Sequence, residues 1–175
     1  MKKKMLRATV WFMGLPCSGK TSLADRLYRS PQTIHIDGDC LRGKGKLCSD
    51  LTFTPEDRME NLRRAACVAE LMNLNGFNVT ASFITPTKEA QDLIRNTIEN
   101  LILVYVKCPV EVCAERDVKG MYKQAREGKI SNFTGISAPF HEPENPDITV
   151  ETDKLDTQEC IRILEEEIPK YWRGF

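Results

Sequence analysis

The chain has 175 residues, 41% hydrophobic and 29% charged, and its 25 basic and 25 acidic side chains cancel to a formal net charge of zero. That length suits a single domain (1–175) with one core, and the balance excludes a disordered chain and makes nucleic acid a poor partner. Seven cysteines without a CxxC pair or a Cys/His ligand set point to a reducing cytoplasm, and no segment reaches the ~18 apolar residues of a membrane helix, so no membrane partner is expected.

Taken in chain order, Lys2-Lys3-Lys4 followed by Ala8–Met13 superficially resembles a signal peptide. The apolar run is short, however, and leads directly into a glycine-rich loop, so Ala8–Met13 reads as the first strand. The loop, Gly14-Leu15-Pro16-Cys17-Ser18-Gly19-Lys20-Thr21, fits GxxxxGK[ST] between that strand and a helix at Lys20–Tyr28. In that setting the glycines let successive N–H groups converge on phosphate oxygens at the positive end of the helix. Lys20 then bridges the β- and γ-phosphates of a nucleotide and Thr21 holds Mg²⁺.

A second strand, Thr33–Asp37, runs into Asp37-Gly38-Asp39 at the carboxyl edge where open α/β sheets bind ligands. Asp-Gly is also a common turn pair. Of the two carboxylates, one orients Mg²⁺ and its waters and the other serves the acceptor hydroxyl; the pattern does not say which. Arg42 follows closely and suits an anionic substrate group. The next helix, Pro55–Asn75, has Thr54 as its cap, Pro55 at its first position, Asp57 in its first turn and Gly76 at its end. Leu62, Ala66, Ala69 and Met72 give it a face to bury. Arg58 with Asn61, and Glu60 with Arg64, each lie on one side of it, which spacing alone reads as a solvated face.

Strands at Phe77–Phe83 and Leu101–Lys107 alternate with helices at Lys88–Asn100 and Val110–Arg116. From Asp117 to Phe140 the periodicity weakens, and Gly120, Gly128 and Gly135 sit among Lys119, Lys123, Arg126 and Lys129: a basic lid over about 117–140. A weaker strand at Ile148–Glu151 and a helix at Thr157–Glu167 complete the chain. This rhythm predicts a three-layer α/β fold of the P-loop NTPase kind, with a central parallel five-stranded sheet flanked by helices. Thr152-Asp153-Lys154-Leu155-Asp156 has the wrong spacing for guanine recognition, and Leu101–Lys107 ends in lysine where a mechanical ATPase usually has a carboxylate. A small kinase with a small-molecule acceptor fits best.

Six ordered blocks then resemble adenylylsulfate kinases. They are Gly14 to Thr21; Asp37-Gly38-Asp39 with Arg42; Asp50 to Arg64; Ser82-Phe83-Ile84-Thr85-Pro86; Cys113 to Lys123; and Asn132-Phe133-Thr134-Gly135-Ile136. The resemblance implies ATP- and Mg²⁺-dependent phosphorylation of the 3′-hydroxyl of adenosine 5′-phosphosulfate, the sulfate-activating step of sulfate assimilation, by a cytoplasmic enzyme that is commonly a homodimer. It implies that Phe53 and Phe133 sandwich the adenine and that Arg42, Arg58 and Asn61 hold the sulfate, phosphate or sugar. Ile84 lines the same pocket, Asn132 joins the substrate-binding set, and Lys119 reaches the transferring phosphoryl when the lid closes. The catalytic set is therefore Lys20, Asp37, Asp39 and Lys119, with Asp39 and Lys119 also touching the substrate. Thr85 stands where relatives carry a serine near the donor phosphates.

The chain departs from the family at Cys40, usually Asn; at residues 43–49, a longer run than usual; at Thr87-Lys88, usually an aromatic-Arg pair; and in a shortened segment from Leu27 to Gln32. Most of these lie beside the acceptor. They keep open a related kinase acting on cytidine diphosphoramidate in capsule biosynthesis, and, from another class, a nucleotide sensor without turnover.

Overall fold

The computed structural model describes residues 7–27 and 31–171. Lys2-Lys3-Lys4 and the predicted helix end at Tyr28 lie outside them. Five strands, β1 (Thr9–Met13), β2 (Thr33–Asp37), β3 (Asn78–Ser82), β4 (Leu101–Lys107) and β5 (Ile148–Glu151), pair in parallel in the order β2-β3-β1-β4-β5. The helices are α1 (Lys20–Arg26), α2 (Gly38–Arg42), α3 (Pro55–Leu74), α4 (Lys88–Thr97), α5 (Val110–Arg116), α6 (Met121–Arg126) and α7 (Thr157–Tyr171).

Every residue of β1 is buried, because helices cover both faces of the sheet. Its alternation divides the core. Val10 and Phe12 pack with Leu23 and Ala24 of α1 and with Leu164 and Ile168 of α7. Trp11 and Met13 pack with Leu62, Ala66 and Ala69 of α3 and with Ile94 of α4. Met72, the fourth member of the expected α3 face, is only partly buried. The chain fills the β3 side of β1 first and the β4 side afterwards. The loop after β1 therefore opens at the point where strand order reverses, the usual ligand crevice of such sheets.

All five strands fall within a residue of the expected ends. Thr54 caps α3 as expected, its hydroxyl accepting the Asp57 N–H at 3.2 Å. Two short helices were not expected. α2 starts at the glycine of Asp-Gly-Asp, a pair that is also common in turns, and α6 lies inside the basic segment. α4 ends three residues before Asn100, since Ile98 leaves the helix in extended conformation to bury its side chain. α7 runs on to Tyr171, past Glu167, because Ile168 is fully buried.

Candidate active site

The loop after β1 depends on its glycines. Gly14 has φ 151°, and a Cβ there would stand 2.5 Å from the Val106 carbonyl oxygen of β4 and 2.9 Å from Ser18 Oγ, so only glycine lets the loop lie this close to the sheet. Gly19, φ 101°, turns the chain into α1. Lys20 is buried, and its Nζ donates to the Leu15 carbonyl at 2.5 Å and to Ser18 Oγ at 3.4 Å, spanning the loop from within. Burial pushes the Lys20 ammonium down to about 8 from its ordinary 10.5. The folded chain thus holds this proton less tightly than the unfolded chain. The lysine's contribution to stability consequently rises with pH between about 8 and 10.5. A bound phosphate restores the charge, so near pH 9 nucleotide binding is expected to take up close to one proton. Calorimetry in two buffers of different ionisation enthalpy measures this, and no uptake would show that Lys20 does not meet the phosphates.

Thr21 Oγ1 lies 3.4 Å from Ser82 Oγ at the end of β3. Among the described residues no group of three His, Cys, Asp or Glu side chains forms a metal cage. The oxygens here, two hydroxyls with Asp37 on the neighbouring strand, suit a hard cation that takes most of its ligands from phosphates and water.

The two carboxylates of Asp-Gly-Asp diverge. Asp37 caps α2, its Oδ1 accepting the Cys40 N–H at 2.6 Å, while its Oδ2 is 3.9 Å from His35 Nε2. Asp39, one residue into α2, is exposed and pairs with Lys119, which precedes α6. That hydrogen bond raises the Lys119 pKa.

Beyond α2, the Arg42 guanidinium lies over the Phe53 ring at 4.5 Å. Arg58 donates from Nε to the Phe53 carbonyl at 3.1 Å and from Nη1 to Thr134 Oγ1 at 3.2 Å, joining the approach to α3 to the segment after α6. Partial burial lowers the pKa of both arginines, and for Arg58 the nearby Arg42 charge adds to it. Arg42 Nε and Asn61 Oδ1 are buried without a hydrogen-bond partner. Such orphaned groups cost folding free energy, and in folded proteins an ordered water, an ion or a ligand commonly meets them. Spacing alone had put Asn61 on a solvated face; it is 3% exposed.

Phe133 is buried against Tyr122, ring edge to ring face at 4.9 Å, whereas Phe53 is 61% exposed apart from its contact with Arg42. Asn132 has φ 55° at the turn that introduces Phe133. The Ile84 carbonyl accepts the Gly14 N–H at 3.3 Å, placing Ile84 beside the phosphate loop. Thr85 is 1% exposed and its hydroxyl accepts from Trp11 Nε1 at 2.9 Å, which makes it a core anchor.

The adenylylsulphate kinase family profile matches residues 6–151. The chain belongs to this family. An adenylyl-sulfate kinase of Thermodesulfovibrio yellowstonii is 48% identical over 164 residues, covering 89% of this chain and 80% of that one. One from Halothermothrix orenii is 45% identical over 167 residues, covering 90% and 89%. Among solved structures, the Mycobacterium tuberculosis APS kinase CysC in complex with AMPPNP and APS superposes with TM-score 0.80 at 39% identity, covering 91% of this chain and 98% of that one.

Within the adenylylsulphate kinase frame, the departures have structural partners. Arg64 ties down the run at residues 43–49, donating to the Leu47 carbonyl at 2.8 Å and to both oxygens of Asp50 at 2.6 and 2.8 Å. Thr87 caps α4, accepting the Ala90 N–H at 3.2 Å. Cys40 contributes its backbone N–H to the Asp37 cap. Three residues that sequence reasoning left out brace the phosphate loop. Tyr122 donates its hydroxyl to the Pro16 carbonyl at 2.9 Å, Thr152 donates to the Ser18 carbonyl at 2.8 Å, and Arg116 donates to Thr152. Tyr122 and Arg116 lie in a matched block. Thr152 follows β5 at the same sheet edge, which was its one available cue.

Proposed function

We propose that this kinase transfers the γ-phosphoryl of ATP to the ribose 3′-hydroxyl of adenosine 5′-phosphosulfate, giving 3′-phosphoadenylylsulfate. The observation that carries the acceptor side is the pair of orphaned buried groups, Arg42 Nε and Asn61 Oδ1, beside Phe53 and Arg58. An anionic nucleotide supplies what each lacks: oxygens for the guanidinium, a donor for the amide oxygen, and a flat base for the ring. The family relationship favours this acceptor over cytidine diphosphoramidate, and the departures that had suggested the latter have structural partners of their own.

In this reading residues 14–21 cradle the donor phosphates through backbone N–H groups, and Lys20 exchanges its loop partners for β- and γ-phosphate oxygens. Thr21 would hold Mg²⁺, with Asp37 nearby to order its waters, and the bound cation would supply positive charge to the donor phosphates. Asp39, with both oxygens clear of backbone caps, accepts the 3′-hydroxyl proton. Lys119 leaves Asp39 for the transferring phosphoryl as residues 117–140 close as a lid and exclude water. Phe53 gives up Arg42 to stack on the base, with Phe133, Ile84 and Asn132 opposite. The single-domain organisation, the homodimer and the cytoplasmic location implied by the resemblance belong to the same reading. Among the described residues no helix is long and apolar enough to cross a membrane.

ADP release with Mg-ATP, measured in parallel against adenosine 5′-phosphosulfate and cytidine diphosphoramidate, tests the assignment. Turnover of the adenine nucleotide is expected; turnover of the cytidine compound alone would overturn it, and tight ATP binding with neither turned over would indicate a sensor. Arg58→Ala tests the acceptor pocket. Losing a charged hydrogen-bond donor is expected to raise the acceptor KM roughly tenfold or more while the KM for ATP stays nearly constant. Equal effects on both constants would remove Arg58 from the acceptor site.

A further inference from the structure

His35 lies on β2, opposite Thr80 of β3 in the sheet register, as Asp37 lies opposite Ser82. Its Nδ1 is 3.0 Å from Thr80 Oγ1, a buried hydroxyl on a strand paired on both sides, so the ring is anchored at that nitrogen. The anchored ring presents Nε2 to three oxygens on three elements. These are Ser82 Oγ of β3 at 3.5 Å, Asp25 Oδ1 of α1 at 3.6 Å and Asp37 Oδ2 at 3.9 Å. Ser82 Oγ in turn meets Thr21 Oγ1 at 3.4 Å. The imidazole thus stands one hydroxyl removed from Thr21.

We infer that His35 is a positioning residue for the divalent-cation site, orienting the Ser82 hydroxyl so that Thr21 is held in one arrangement toward the cation. The inference rests on the reading of Thr21 as the metal-binding hydroxyl. Its physical basis is that a Ser hydroxyl otherwise rotates freely. A ring anchored by Thr80 at one nitrogen and meeting Ser82 Oγ with the other removes that freedom before the cation arrives. Partners at one remove from a metal commonly act in this way.

The test is ADP binding by the purified chain, measured by calorimetry in excess Mg²⁺ and again in EDTA; the ratio of the two Kd values is the Mg²⁺-linked tightening. His35→Leu is expected to shrink that ratio by about tenfold and to leave ADP affinity in EDTA unchanged. His35→Gln, whose amide extends toward the Nε2 position, retains most of it. Thr80→Val, which removes only the anchor, shifts the ratio in the same direction by less, and it decides the question should His35→Leu fail to melt cooperatively. Thr21→Val is the control. If it loses the tightening while His35→Leu and Thr80→Val keep theirs, the role of His35 is overturned and the metal reading stands. If Thr21→Val keeps it as well, the metal reading falls and this inference with it. Equal weakening of ADP in Mg²⁺ and EDTA by His35→Leu would show a merely structural histidine.

Discussion

Lys20→Ala is expected to lower turnover by at least ~100-fold, the scale on which preorganised charge at a developing transition state usually registers. The same substitution should leave the fold intact. Lys20 is buried, its ammonium is pushed down to about 8, and its hydrogen bonds go to the loop's own Leu15 carbonyl and Ser18 hydroxyl, so no other element loses a partner. Removing a charge that the nucleotide-free fold tolerates poorly is expected to hold or raise the thermal midpoint without nucleotide. The additional stabilisation by ATP should shrink, because a ligand stabilises only in proportion to its affinity for the folded state. Steady-state ADP release and melting curves with and without ATP separate the two effects. An unchanged rate would exclude this loop as the phosphate site. A collapsed midpoint without nucleotide would mean that Lys20 is chiefly structural.

The strands were legible in the sequence because a doubly covered parallel sheet demands unbroken apolar runs: Leu101–Lys107 is buried except at its two ends. The phosphate loop was legible because its glycines and lysine are fixed by local backbone geometry and lie within eight residues. α6 escaped notice because it has only six residues, lies between Gly120 and Gly128, and buries little beyond Tyr122 and Ala125. The site's assembly could not be read from spacing, since its contacts join residues far apart in the sequence. Lys119 meets Asp39 across 80 positions, Tyr122 meets Pro16 across 106 and Thr152 meets Ser18 across 134. Asn61 shows the limit most clearly. Helical spacing grouped it with Arg58 on a face taken as solvated, and burial of its unsatisfied amide oxygen depends on what packs over α3, which no local pattern records.

The second large effect is expected at Asp39, and its neighbour explains why. Asp37 spends one oxygen capping α2 and turns the other toward His35, whereas Asp39 is exposed and pairs with Lys119. An exposed ion pair of this kind adds little stability, so on the proposed reading the Asp39 to Lys119 contact brings two groups of the reaction together before substrate arrives. Asp39→Asn keeps the size and a hydrogen-bonding side chain and removes the proton acceptor. Turnover should fall by roughly 10²–10⁴-fold, the usual weight of a positioned base, with ATP affinity nearly unchanged. A loss confined to ATP affinity would instead move Asp39 to the metal. A loss that vanishes in a Lys119→Met background, where the lid clasp is already gone, would make Asp39 merely the anchor of the lid. The double-mutant cycle distinguishes these outcomes, because a residue that acts on the hydroxyl continues to cost turnover after its partner has been removed.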